Sequence, residues 1–133
     1  LAGDEAFVDE ARRVRKLFGG GMRQAGMIAA PGLLALENVD RLDDDHANAE
    51  RLAAGLDALG GVTAPEPDTN IVVAHTADAG VPAADLVTAC EDAGVGCVEF
   101  DEYTTRFTTH LDVDADDIDA AIDRIGDVVA ELA

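Results

Sequence analysis

Two stretches of this 133-residue chain set cations beside unusual backbone or hydroxyl groups, where an anion could be held. The first is Lys16-Leu17-Phe18-Gly19-Gly20-Gly21-Met22-Arg23-Gln24. Three consecutive glycines allow positive φ and can turn successive N–H groups toward one point, and a helix beginning just beyond them adds further free donors. Arg23 can supply a two-pronged fork and Lys16 a point charge, so a phosphate or carboxylate is a reasonable ligand. The same stretch also suits a flexible helix–helix connector. The second place is Arg106, the one cation in its segment, flanked by Thr104, Thr105, Thr108 and Thr109. It suits capture of a small carboxylate, and equally an ordinary salt bridge to one of the many acids.

Other chemistry is less well supplied. The chain has no serine, which excludes a serine nucleophile. Cys90 and Cys97 are too few for a disulfide framework and lack zinc-type spacing, so they read as packing thiols in a reducing compartment. His75 and His110 read as satisfied core or edge histidines and His46 as a helix-surface or interface residue, since none has a second metal ligand at a useful spacing. No metal site is expected.

The background charge makes the isolated cations conspicuous. There are 28 Asp and Glu against 9 Lys and Arg, for a formal net charge of −19. Nineteen of the acids are Asp and Lys16 is the only lysine. Such a surface repels phosphate backbones and anionic lipid, so neither nucleic acid nor membrane is an expected partner. A dense carboxylate coat loses most of its self-repulsion when molar salt shortens the Debye length to about 3 Å, which suggests a halophilic cytoplasm. Runs such as Asp43-Asp44-Asp45 then belong to the coat. At 48% hydrophobic residues the chain can still build a core.

The elements that would position these residues follow from periodicity. Asp4 to Phe18 spaces Phe7, Ala11, Val14 and Phe18 as a helix does, with its basic cluster in the last turns and glycines to stop it. A second helix is predicted from near Arg23, kinked or broken at Pro31-Gly32 and resumed through Leu36. Its segment from Ala25 to Leu36 is apolar all round and too short to span a membrane, so it must be covered, which implies a partner protein. Asn38 to Leu59 predicts an amphipathic helix, Thr69 to His75 a strand, and Pro82 to Ala93 a helix. Val95 to Phe100 is a short strand. Thr104 to Leu111 should pair beside it, with Phe107, Thr109 and Leu111 on one face and Arg106, Thr108 and His110 on the other. A last helix starts at an Asp cap near Asp114 and buries Ile118, Ala121, Ile122, Ile125 and Val129. The fold class is therefore α+β, with helices packed on a mainly antiparallel three-stranded sheet. Residues 1–37 stand apart as a helical segment of a larger domain or interface, and residues 38–133 form a small C-terminal domain.

The ordered set Glu10 to Lys16 running into GGGMRQAG, Ala29-Ala30-Pro31-Gly32-Leu33-Leu34-Ala35-Leu36, Asp45-His46-x-x-Ala49, Thr69-Asn70-Ile71-Val72 and Arg106-x-x-Thr109-His110-Leu111-Asp112-Val113 closely resembles the later part of low-specificity L-threonine aldolases. The resemblance covers essentially the whole chain and implies a fold-type I enzyme using pyridoxal 5'-phosphate, a homotetramer that cleaves threonine or allo-threonine to glycine and acetaldehyde. It implies that Lys16 and Arg23 lie near the cofactor phosphate, in a site partly built by an adjacent subunit, and that Arg106 grips the α-carboxylate of a small amino-acid substrate. It also implies that the Schiff-base lysine lies before this segment, so that the chain needs the remaining N-terminal catalytic part and is inactive alone. Two other readings stay open: a freestanding, non-catalytic α+β interaction module derived from such an enzyme, and another lyase of the same fold.

Overall fold

A computed structural model describes all residues from Leu1 to Ala133, which divide into two compact units, Leu1–Asn38 and Val39–Ala133. The first unit contains two helices. α1 spans Glu5–Leu17 and starts at Asp4, whose carboxylate accepts the Phe7 N–H at 2.8 Å, satisfying a donor the first turn leaves free. α2 spans Gly26–Glu37 and buries no residue, as α1 buries none. It begins three residues later than Arg23 because Gln24 sits at φ 51°, outside the helical region. The expected break at Pro31 is absent, and α2 is continuous through it. A proline inside a helix removes one backbone hydrogen bond, here the bond from position 31 to position 27, and the turns on either side keep theirs.

The second unit has three helices on a three-stranded sheet. α3 (Leu42–Asp57) follows a short 3-10 turn, so the helix predicted from Asn38 starts four residues later. β1 (Ile71–His75), α4 (Ala83–Asp92), β2 (Val98–Asp101), β3 (Thr104–Thr108) and α5 (Ala115–Leu132) complete it. The strands run in the order β1-β3-β2 and every pairing is antiparallel. β3, in the centre, matches Val73 of β1 to Arg106 and Val98 of β2 to the same Arg106. α3 packs on β1, α4 on β2 and β3, and α5 lies across α3 and α4.

Alternation in the strands sorts the two faces. Val72, Ala74, Thr105 and Phe107 are buried beneath the helices, where they meet Ala49, Leu52 and Leu56 of α3, Leu86 and Cys90 of α4, and Ile118, Ile125 and Val129 of α5. Ile71, His75, Arg106, Thr108 and Val98 are exposed on the opposite face of the sheet. The ladder stops at Thr108, and the predicted alternation holds through buried Thr109 and exposed His110 but fails at Leu111, which is exposed. α5 is set by a reciprocal cap in which Asp114 accepts from the N–H groups of Asp116 and Asp117 while Asp117 accepts from that of Asp114. One glycine is required by its position. Gly61 has φ +77°, and a Cβ there would meet the backbone of Ala79 at 2.7 Å.

Candidate functional site

In the first unit, Lys16 lies in the last turn of α1 and Arg23 beyond the glycines. The glycine N–H groups do not gather toward one point as expected. Gly19 N–H donates to the Lys16 carbonyl at 3.1 Å and Gly20 N–H to that of Arg15 at 2.8 Å, so both are spent capping α1. Gly19 takes the positive φ of 76° that this cap requires. At the start of α2 the Met27 and Ile28 N–H groups likewise turn back to carbonyls, of Gln24 at 3.1 Å and Ala25 at 3.0 Å, and the helix has no side-chain cap and no acidic residue in its first turn. That is unusual in a chain with 28 acids, and it leaves the positive end of the helix dipole uncompensated.

The cations of this unit divide by their partners. Arg12 pairs with Asp9 at 3.0 Å and Arg13 with Glu10 at 2.6 Å. The hydrogen bond between Arg13 and Glu10 pulls the carboxyl below its ordinary pKa and raises that of the guanidinium. Arg15, Lys16 and Arg23 form no ion pair. Lys16 and Leu17 share a shallow hollow with Arg12, Arg13 and Arg15, a basic surface on an otherwise acidic chain. Unpaired cations on either side of the glycine turn have the charge and donor chemistry that an anionic phosphate ester needs.

In the second unit, Arg106 stands at the middle of the central strand on the open face, between Val73 and Val98. It is exposed and pairs with no carboxylate, so the ordinary salt bridge that its surroundings would favour is not formed. By contrast Arg51 of α3 holds Asp119 of α5 through two hydrogen bonds, which depress that carboxyl's pKa. His75 lies on the same open face and its Nδ1 is 3.1 Å from Thr104 Oγ1. The grouping of Arg106, Thr108 and His110 is divided. Arg106 and Thr108 share the strand face, but His110 lies past the end of the strand, where its Nδ1 accepts the Asp112 N–H at 3.3 Å. Thr108 and His110 line a cavity of about 410 Å³ together with Phe107, Ile118 and Arg124, and Arg106 is not part of it.

Two residues that sequence reasoning left without a role hold this strand in place. Thr109 is 1% exposed; its hydroxyl donates to the Asp45 carbonyl at 2.7 Å and its N–H to the Asn70 carbonyl at 3.0 Å. The Asn70 amide returns a bond to the Thr109 carbonyl at 2.6 Å. This clasp ties the end of β3 to the start of β1 and to the first turn of α3, and so fixes the strand that presents Arg106 three residues earlier. The sequence offered one cue, an Asn and a Thr at strand ends with amide and hydroxyl groups that must be satisfied if buried.

No group of His, Cys, Asp and Glu in the structure is arranged to hold a metal ion, and no helix is long and apolar enough to cross a membrane.

Comparison with known proteins places this arrangement. The chain is 32% identical over 122 residues to low-specificity L-threonine aldolase 1 of Arabidopsis thaliana, an alignment covering 89% of this chain and 34% of that protein. It is 34% identical over 114 residues to the low specificity L-threonine aldolase of Escherichia coli K12, covering 85% of this chain and 33% of the relative. The chain thus spans about a third of the length of these relatives. A crystal structure from Exiguobacterium sp. 255-15, described as an aromatic amino acid beta-eliminating lyase/threonine aldolase, superposes with a TM-score of 0.69 at 25% identity, over 96% of this chain and 39% of that one. The matched portion is C-terminal and carries the fold-type I architecture of such enzymes. Residues 1–79, which run from α1 through β1, match the family model for beta-eliminating lyases, and the chain belongs to that family.

Proposed function

We propose that this chain is the C-terminal part of a pyridoxal-phosphate-dependent threonine aldolase, which cleaves L-threonine or L-allo-threonine to glycine and acetaldehyde. The observation that carries the reading is Arg106: an unpaired guanidinium at the centre of an open sheet face, on a chain with three times as many acids as bases. A guanidinium left free among so many carboxylates is available to a ligand's carboxylate. Similarity to threonine aldolases over most of the chain supports the same assignment.

In this reading Arg106 holds the substrate α-carboxylate through two parallel N–H donors, which restricts rotation about Cα and so selects the bond to be broken. Lys16 and Arg23 hold the cofactor phosphate, a dianion that the rest of this acidic surface would repel. The cofactor, when bound, supplies the electron sink for cleavage of the Cα–Cβ bond. The lysine that binds it covalently is contributed by the preceding part of the protein, and the exposed apolar helix α2 packs within the assembled homotetramer. The assembled enzyme works in a salt-rich cytoplasm.

The test is release of glycine and acetaldehyde from L-threonine and L-allo-threonine by the complete gene product, beside the 133-residue chain supplied with pyridoxal phosphate. The expected result is turnover by the complete protein and none by the chain alone. A complete protein that binds the cofactor yet cleaves neither amino acid overturns the aldolase assignment in favour of another lyase; one that binds no cofactor favours a non-catalytic module.

A further inference from the structure

The cavity of about 410 Å³ between α5 and the end of β3 contains no group named in the proposed reaction, and it lies at a gap in the sheet. β2 begins at Val98, opposite Arg106, so Phe107 and Thr108 extend past it with β1 as their only neighbouring strand. Alternation along an antiparallel strand sends the Phe107 and Thr109 backbone groups toward β1, where the Thr109 N–H reaches the Asn70 carbonyl. It turns the N–H and C=O of Thr108 the other way, to the side where β2 is missing. Gly96, which the same register would set opposite Thr108, takes part in no backbone hydrogen bond. Both residues border the cavity, whose floor is apolar and includes Val95, Phe107 and Ile118. Its charges are separated. Asp112 and Asp117 stand where α5 begins, and Arg124 lies two turns further along the same helix, about 10 Å away at roughly 1.5 Å per residue. Asp117 gives one oxygen to the Asp114 N–H and keeps the other free. Arg124 is exposed and joins no carboxylate; its one bond is a long one, from Nη1 to the Ala93 carbonyl at 3.4 Å.

We propose that this cavity is a binding site for an apolar dipeptide with both ends free. The ligand's carboxylate meets Arg124 through charge-assisted N–H bonds and its ammonium meets Asp112 and Asp117. Its amide lies along Thr108 and Gly96 as the absent length of β2 would, and an apolar side chain covers Val95 and Phe107. Two residues extend about 7 Å, which with a hydrogen bond at either end spans the distance between the charges. A single amino acid is too short to reach both ends, and a plain carboxylate leaves the two aspartates without a partner. The site is separate from Arg106, which the cavity does not include, and it stands whether or not the aldolase assignment holds.

The experiment titrates the complete protein with L-leucyl-L-valine by isothermal calorimetry, beside the same dipeptide acetylated at its amine or amidated at its carboxyl group. The expected result is saturable binding of the free dipeptide, with affinity lower by about tenfold or more when either end is blocked. Arg124→Gln, at an exposed position without an ion pair, should cost a similar factor. Gly96→Leu, at an ordinary φ with open space around its Cβ, places a side chain in the cavity and should abolish binding while the urea midpoint stays near the parent's. Arg106→Ala, which removes the guanidinium assigned to the substrate carboxylate, leaves dipeptide binding unchanged and so tells the two sites apart. No saturable binding, undiminished affinity for either blocked form, or binding that survives Arg124→Gln overturns the proposal, and these readings decide it even if Gly96→Leu does not fold.

Discussion

The central strand offers a paired test of how its buried hydroxyls act, because Thr105 and Thr109 lie four residues apart, point the same way and are both fully buried, yet differ in their partners. Thr109 donates to the Asp45 carbonyl at 2.7 Å, whereas Thr105 Oγ1 has no hydrogen-bond partner. Valine nearly matches threonine in shape and β propensity, so each Thr→Val substitution changes little besides the hydroxyl. Thr109→Val removes a bond worth about 1 kcal/mol, while the Asp45 carbonyl, inside α3, keeps its intrahelical partner, for a loss of roughly 0.5–1.5 kcal/mol. Thr105→Val removes a hydroxyl that was desolvated without compensation, a gain of about 1 kcal/mol. For a unit of this size each kcal/mol moves the thermal midpoint by about 4–8 °C, so the two variants should fall on opposite sides of the parent in thermal and urea unfolding. Loss of stability in Thr105→Val equal to that in Thr109→Val would refute the reasoning, since the hydrogen bond would then not be the difference.

Other outcomes follow from the same structure. Gly61→Ala should lose at least about 1–2 kcal/mol from the left-handed backbone alone, with further loss from the approach of Ala79, whereas Gly60→Ala, which has open space and an ordinary φ, should change the urea midpoint little. No carboxylate of the chain is buried and the net charge is −19, so raising KCl from about 0.1 M to about 1 M, which shortens the Debye length from about 10 Å to about 3 Å, should raise the unfolding midpoint. A midpoint that stays flat or falls would remove self-repulsion from the account. The Arg51 hydrogen bond lowers the folded-state pKa of Asp119, so its contribution is complete above the ordinary Asp value and is lost as pH falls through the lowered one. Asp119→Asn should therefore flatten the acid limb of the stability profile below about pH 4, which a series of urea titrations will read.

Much of the second unit was legible because its signals were local and agreed with one another. The β-branched run before His75, the apolar spacing in α5 and the Asp114 cap each named an element that the structure contains. The strand after Arg106 was read too long because the alternation of Phe107, Thr109 and Leu111 continues in sequence beyond Thr108, where β3 loses its ladder partners; pairing is a property of two strands and one alone does not reveal its end. The Asn70 and Thr109 clasp was hidden for the same reason, since its groups come from positions 45, 70 and 109. In the first unit the glycines were seen but their hydrogen bonds were misassigned: composition shows that Gly19 can adopt positive φ, and only geometry shows that its N–H closes α1. The free state of Arg106 was likewise beyond the sequence, in which some acid could always have been its partner.

That free guanidinium is where the account is most exposed to measurement. The steady-state kinetics of threonine cleavage by the complete protein carrying Arg106→Ala, set against the unmutated enzyme and Arg106→Lys, tests it most directly. Loss of a charge-assisted, two-pronged bond worth about 1.5–3 kcal/mol or more predicts that kcat/KM for threonine falls at least about 10–100-fold in Arg106→Ala, while cofactor binding is retained and Arg106→Lys recovers part of the loss. An unchanged kcat/KM in a folded, cofactor-bound Arg106→Ala would contradict the assignment of this residue to the substrate carboxylate.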